Sequence, residues 1–189
     1  MIILYLRVNM NMDRAPKLVS REVSTCPVCS TKSLTLEVYY YKIPLVNEVM
    51  ITVGRCGTCG YRYTDIELLT YSKPKRYVLR VEGPDDLNAL VVKSSKAIVK
   101  IPELGIEIYP GPMAYGYITT VDGVLERVLD VFPTECGEVC EGRRREIEEA
   151  MEGKRKFTLV LEDPQGKSAI VHKEKGRVIV EELPKATQP

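Results

Sequence analysis

Two Cys-x-x-Cys pairs constrain this chain more than any other feature: Cys26-Pro27-Val28-Cys29 and Cys56-Gly57-Thr58-Cys59. Each pair can bring two sulfurs to one metal from a tight turn. The 26 residues between Cys29 and Cys56 then return the chain, so that the second pair completes a tetrahedron. This is the donor set of one structural zinc ion, with Cys26, Cys29, Cys56 and Cys59 as expected ligands. Four thiolates close the coordination sphere and leave no position for a catalytic water. Gly60 directly after the second hook permits a left-handed backbone there. Lys32, Arg55 and Arg62 lie near enough in sequence to offset the surplus negative charge of four thiolates on one dication.

The alternative use of six cysteines is a disulfide framework in a secreted protein. The apolar start Met1–Leu6 is too short for a signal sequence and no basic segment precedes it. No stretch approaches the ~20 apolar residues of a membrane span. The expectation is a cytoplasmic protein with reduced thiols, where paired cysteines bind metal. A net charge of +1 excludes a global field that draws the chain to nucleic acid or membrane.

Leu34–Tyr41, Glu48–Arg55 and Tyr61–Leu69 are rich in β-branched and aromatic residues and read as three strands carrying the two hooks, a zinc ribbon. Residues 1–24 are expected to form a tail or an edge strand, with Ile2–Val8 as the candidate. Pro74 marks a boundary, so 25–73 is taken as the ribbon and 74–183 as a β-rich domain, with 184–189 a tail. In the second unit Arg76–Val81, Ala97–Ile101, Gly105–Tyr109, Phe157–Leu161, Ser168–His172 and Val178–Val180 read as strands. Leu87–Val92 fits a short helix or a strand. Val121, Val124, Leu125, Val128, Leu129 and Phe132 fall at helical spacing behind a Thr120 N-cap. A second, mostly solvated helix is expected from Cys136 to about Lys154. The fold class is therefore mainly β with two helices: a four-cysteine ribbon followed by a sandwich or jelly roll of the double-stranded β-helix type.

Other candidate sites read as structural. Cys136 and Cys140, four apart on the expected helix, suit packing or a labile disulfide better than a second metal. His172 is the only histidine, and no nucleophile-base arrangement forms around it. Asp163-Pro164-Gln165-Gly166-Lys167-Ser168 lacks the spacing of a phosphate loop and reads as a hairpin turn. Arg143–Arg145 is followed by glutamates within one turn, which pair it locally. Tyr39, Tyr40, Tyr41, Tyr61 and Tyr63 with Arg62 form an expected aromatic and basic cluster near the metal. It suits a ribbon core and a partner-binding face equally, and Tyr61, Arg62 and Tyr63 are the candidate partner contacts.

Several motifs occur in order: the first hook, Ile43-Pro44, Asn47–Ile51, the second hook through Arg62, Arg76–Val81, Ile101–Leu104, Gly116–Gly123 and Phe157–Ser168. This set resembles the ZPR-one zinc-finger family from about Thr25 to His172. The resemblance implies a four-cysteine finger joined to a jelly-roll domain and transfers the metal ligands to Cys26, Cys29, Cys56 and Cys59. It implies no catalytic residues and a protein client, translation elongation factor one-alpha, of which the eukaryotic form looks like a folding chaperone. Asp122 and Lys167 depart mildly from the family pattern, which often has Glu and Asn there. The module occurs once, as in archaeal members, and twice in eukaryotic ones. The single module implies that one copy, or a homodimer, does the work of two. The rival reading is a nucleic-acid-binding zinc ribbon with Lys73, Lys75, Arg76 and Arg80 as a basic edge.

Overall fold

The computed structural model describes residues 15–43, 46–69, 73–133 and 137–184. Four strands form the ribbon: β1 (Lys17–Ser24), β2 (Leu34–Ile43), β3 (Asn47–Cys56) and β4 (Arg62–Leu68), antiparallel and in that spatial order. β2 and β3 make a long hairpin whose register runs from Leu34 opposite Cys56 to Ile43 opposite Asn47. That hairpin is what fills the gap between the two hooks. The candidate edge strand Ile2–Val8 lies outside the described residues. The edge strand observed is β1, in a stretch where periodicity gives no signal. Leu18, Val19 and Val23 are all exposed, so the strand is held by its ladder to β2 and by the Arg21–Glu37 ion pair.

The second unit packs two antiparallel sheets. Five strands, β5 (Lys75–Val81), β7 (Ile98–Ile101), β8 (Ile106–Ile108), β10 (Phe157–Asp163) and β12 (Val178–Glu182), take the order β12-β5-β10-β7-β8. Three more, β6 (Leu90–Lys93), β9 (Tyr117–Thr120) and β11 (Ala169–Val171), take the order β11-β6-β9. Alternation builds the layer between them: Phe157, Leu159 and Leu161 on β10 and Tyr77, Leu79 and Val81 on β5 are buried. Against this core lies α2 (Val121–Asp130), burying Val121, Val124, Leu125 and Val128 at the expected spacing. Thr120 occupies its N-cap without a side-chain cap bond. Asp122 instead accepts the Gly123 N–H at 2.8 Å and the Thr120 hydroxyl.

α3 (Glu138–Met151) is as solvated as expected, burying only Ile147 and Ala150 among its residues. Arg143 meets Glu146 on it, while Arg144 and Arg145 bond backbone carbonyls, so the arginine run is used locally. A one-turn α1 (Pro84–Leu87) resolves the ambiguous stretch, with strand β6 following it. The architecture is thus mainly β with three α-helices among the described residues. β9 was not expected: its four residues are half-buried throughout, so neither alternation nor an apolar run marks them.

The far end of the ribbon shares its core with the sandwich. Val46, Val49, Ile66 and Leu68 belong to the same buried cluster as Leu79, Val91 and Val99. The Asp65 carboxylate, 9 % exposed, accepts the Ser95 N–H at 3.2 Å and the Ser95 hydroxyl at 2.9 Å. The Leu68 N–H reaches the Lys167 carbonyl at 3.1 Å, and Lys167 pairs with Glu67. Gly116 is a position of close approach between the two units. A Cβ there would lie 2.5 Å from Asp65 Oδ1 and 2.6 Å from the Ile66 nitrogen. Gly116→Ala is expected to cost about 1–3 kcal/mol by overpacking, measured by urea unfolding. It should also speed hydrogen exchange at Ser95 more than at Leu159.

Candidate metal centre and adjoining groove

The hooks fold as matched turns. The Ser30 N–H bonds the Cys26 carbonyl at 2.9 Å and the Gly60 N–H bonds the Cys56 carbonyl at 3.2 Å. Each hook ends in a left-handed residue, Ser30 (φ 56) and Gly60 (φ 75). Gly60 does what its residue type predicts, whereas Ser30 bears the side-chain penalty. Ser30→Gly should therefore raise stability by a few tenths to about 1 kcal/mol, and Gly60→Ala, where the Cβ meets nothing within 4 Å, should lower it by about 1 kcal/mol. Competition for zinc against a chelator, run beside thermal melting, reads both signs.

The turns bring together all four sulfurs of Cys26, Cys29, Cys56 and Cys59, within 4.8 Å of one another. Cys26 and Cys59 sulfurs lie 3.7 Å apart, and Cys29 and Cys56 sulfurs 3.6 Å apart. A tetrahedral ion with Zn–S bonds of about 2.3 Å needs sulfurs about 3.8 Å apart. The donor set and spacing fit zinc, and the four cysteines are positioned to bind one such ion. Cys26 and Cys56 are buried and Cys59 is exposed, so the cluster sits at the tip of the ribbon with one side towards solvent. Leu34 is buried beside them, with Leu36 and Tyr61 partly buried against the cluster.

Sequence reasoning missed the hydroxyl groups around the sulfurs. Thr31 Oγ1 is 3.0 Å from the Cys29 sulfur and Ser33 Oγ is 3.2 Å from that of Cys56. Ser33 also bonds Thr31 at 2.7 Å and Thr58 at 2.8 Å, so one chain of hydroxyls ties the two hooks together. The signal was present as hydroxyl residues at alternate positions after the first hook. Their effect on the metal-free thiols is large. The Ser33 hydroxyl, then the Cys59 N–H, draws Cys56 down to about 5. Hydrogen bonds from Thr31 lower Cys29. At Cys59 the Tyr61 N–H also lowers the pKa, but desolvation and the crowding sulfurs of Cys29, Cys56 and Cys26 override it and push the thiol up to about 12. Arg55 and Arg62 stand opposite each other across β3 and β4, with Arg55 next to Cys56.

The tyrosines do not form one cluster. Tyr40 pairs with Met50 and Tyr41 with Val49, far along the hairpin from Leu34 and Cys56. At about 3.4 Å per residue that is some 20 Å from the hook. Tyr40 and Tyr41 line a separate hollow of about 800 Å³ with Leu18, Val19 and Met50. Tyr61, Arg62 and Tyr63 stay near the metal and line a groove of about 440 Å³. Its opposite wall comes from the sandwich: Met113, Tyr115 and Tyr117, with Arg127 of α2. Desolvation, then the charge of Asp65, pushes Tyr63 up to about 12, and its hydroxyl donates to Asp65 at 3.2 Å.

Of the remaining candidates, His172 is neither exposed nor fully satisfied: its buried Nε2 has no hydrogen-bond partner among the described residues. The His172 side chain is 2 % exposed, takes the Glu174 N–H on Nδ1 at 3.0 Å, and lies 3.5 Å from Asp86, which Arg177 binds at 2.6 Å. Cys140 lies on α3, and Cys136 lies outside the described residues. The basic edge is largely neutralised: Lys73 meets Glu182, Arg76 meets Glu162 and Glu181, and Arg80 meets Glu103. Among the described residues no helix is long and apolar enough to cross a membrane.

Two family profiles match the chain, a ZPR1 zinc-finger domain over residues 20–69 and a ZPR1 jelly-roll domain over residues 85–188. A ZPR1-like protein of Methanocaldococcus jannaschii is 40 % identical, with 77 % of this chain and 78 % of that protein covered. One of Pyrococcus horikoshii is 34 % identical over 88 % of this chain and 80 % of its own. The zinc finger chaperone zpr1 of Schizosaccharomyces pombe is 33 % identical over 77 % of this chain but only 34 % of its own length. With both of its parts matched in order and archaeal relatives aligned over most of their length, the chain belongs to the ZPR1 family.

Proposed function

We propose that the chain is a non-enzymatic protein-binding module, kept in shape by one zinc ion on Cys26, Cys29, Cys56 and Cys59, that acts on a protein client as a chaperone does. The ribbon to residue 73 and the sandwich from residue 74 would supply the two walls of its binding site. The observation that carries this reading is the groove. Tyr61, Arg62 and Tyr63, singled out on the ribbon, face Met113 and Tyr115 and the start of β9 across one hollow. Tyrosine and arginine are the side chains that dominate protein interfaces. The name of the fission yeast relative, a zinc finger chaperone, agrees with it.

The client we propose is translation elongation factor one-alpha, on the strength of the family resemblance. Zinc-loaded chain on a resin should retain the purified factor at low salt and release it after chelation of the metal. Failure to retain it, while other proteins are enriched from cytosol, sinks the client assignment. The nucleic-acid reading loses support from the paired state of Lys73, Arg76 and Arg80.

A further inference from the structure

The groove between ribbon and sandwich bears cations on its lining and one carboxylate, Asp65, behind it. Its lining holds two cations, Arg62 and Arg127, and no carboxylate. Arg127 lies with its guanidinium carbon 4.4 Å from the Tyr117 ring centroid, and no carboxylate among the described residues pairs with it. Lys93, 4 % exposed, also lies over that ring with Nζ 5.6 Å from the centroid. Asp65 backs the groove, but its oxygens are taken by Ser95, Tyr63 and the Ile66 N–H. The apolar part of the lining is Ile66, Met113, Tyr115 and Ile118.

We propose that this groove selects an acidic segment of the partner protein, with a carboxylate set on Arg127 and an apolar side chain between Met113 and Tyr115. This rests on the reading of the groove as the client site and adds what that site recognises. The planar guanidinium offers a carboxylate a two-pronged hydrogen-bonded grip, and its seat on Tyr117 fixes its orientation beforehand. A single-stranded nucleic acid fits less well. It needs free ring faces for its bases and a track of cations for its phosphates. Here Tyr117 already carries Arg127 and meets Tyr115 edge-on at 6.5 Å.

The test measures binding of zinc-loaded, full-length chain to two fluorescein-labelled peptides, Phe-Glu-Leu-Glu-Phe and its counterpart Phe-Gln-Leu-Gln-Phe, by polarisation. The acidic peptide should bind about tenfold tighter at low salt, the gain shrinking as salt rises. Arg127→Gln should remove that gain and leave the neutral peptide unchanged. Arg127→Lys should restore only part of it. Melting curves and zinc content of both variants show that they fold. Equal affinity for the two peptides, a gain that survives Arg127→Gln, or stronger binding of oligouridylate than of the acidic peptide overturns the proposal. If the wild-type chain ignores the elongation factor yet selects the acidic peptide, the client assignment fails and the groove's preference stands. If it retains the factor equally well with Arg127→Gln, the groove's preference fails and the client assignment stands.

Discussion

Stripping the zinc ion with a strong chelator is expected to melt the hook half of the ribbon and leave its far half folded. The reason is the uneven distribution of packing. Around the sulfurs the buried cluster consists of Cys26, Leu34 and Cys56. One buried leucine contributes about 1.5–3 kcal/mol, while ordering backbone costs about 1–2 kcal/mol per residue. The roughly 20 residues of hooks and adjoining strand cannot be held by that cluster. The metal's binding energy, about 10–16 kcal/mol for structural sites, is then the largest single contribution holding them in place. At the far end Val49, Ile66 and Leu68 sit in the large common core, and Asp65 is bound to Ser95. Hydrogen exchange on the metal-free chain should therefore show lost protection at Leu34, Leu36, Val53 and Arg55. Protection at Val49, Ile51, Ile66 and Leu68 should persist. Cys56→Ser should reproduce the pattern, and so should acidification, since protons compete with the ion for the thiolates. Uniform loss from 17 to 184, or no loss at all, contradicts this account.

The same unevenness explains what could be read from residues alone. The hooks were legible because four sulfurs at such spacing have few other uses, and the β2–β3 hairpin because its ends had to deliver them. Phe157, Leu159 and Leu161 announced β10 through strict alternation. β1 escaped because its residues are exposed on both sides, and β9 because Tyr117–Thr120 are half-buried without alternation. The groove was half visible. Tyr61, Arg62 and Tyr63 stood out as a cluster, but Arg127 lies 64 positions beyond Tyr63, on a helix where only the apolar positions carry a pattern. Only the docking of β4 against the segment that leads into β9, tight enough to demand glycine at 116, puts them in one hollow. The tyrosine run 39–41 misled for the opposite reason: neighbours in composition were separated by the length of a strand.

The second large effect is expected at Asp163, which ends β10 and is fully buried. Its carboxylate accepts the Gln165 N–H at 2.7 Å, the Lys167 N–H at 3.0 Å, the Ser94 hydroxyl at 2.9 Å and the Ser168 hydroxyl. Ser168 in turn accepts the Ser94 N–H at 2.9 Å. This is why the Asp-Pro-Gln-Gly-Lys-Ser stretch is no phosphate loop: the N–H groups of Gln165 and Lys167 that would cradle an anion are spent on the chain's own carboxylate. Asp163→Ala leaves two N–H and two O–H groups facing a void, and about 3–5 kcal/mol should be lost. Asp163→Asn should cost nearly as much, because one amide oxygen replaces two acceptors and the added NH₂ brings donors to a site already full of them. Ser168→Ala removes one arm and should cost about 1–3 kcal/mol. The damage should reach the ribbon, because the Lys167 carbonyl holds the Leu68 N–H and Ser94 precedes the Ser95 that grips Asp65. Urea midpoints of the three zinc-loaded variants measure the order. If Asp163→Asn falls within about 1 kcal/mol of the parent chain, the carboxylate is not the knot that joins the two sheets to the ribbon, and the shared core with the Asp65–Ser95 and Leu68–Lys167 bonds must do so.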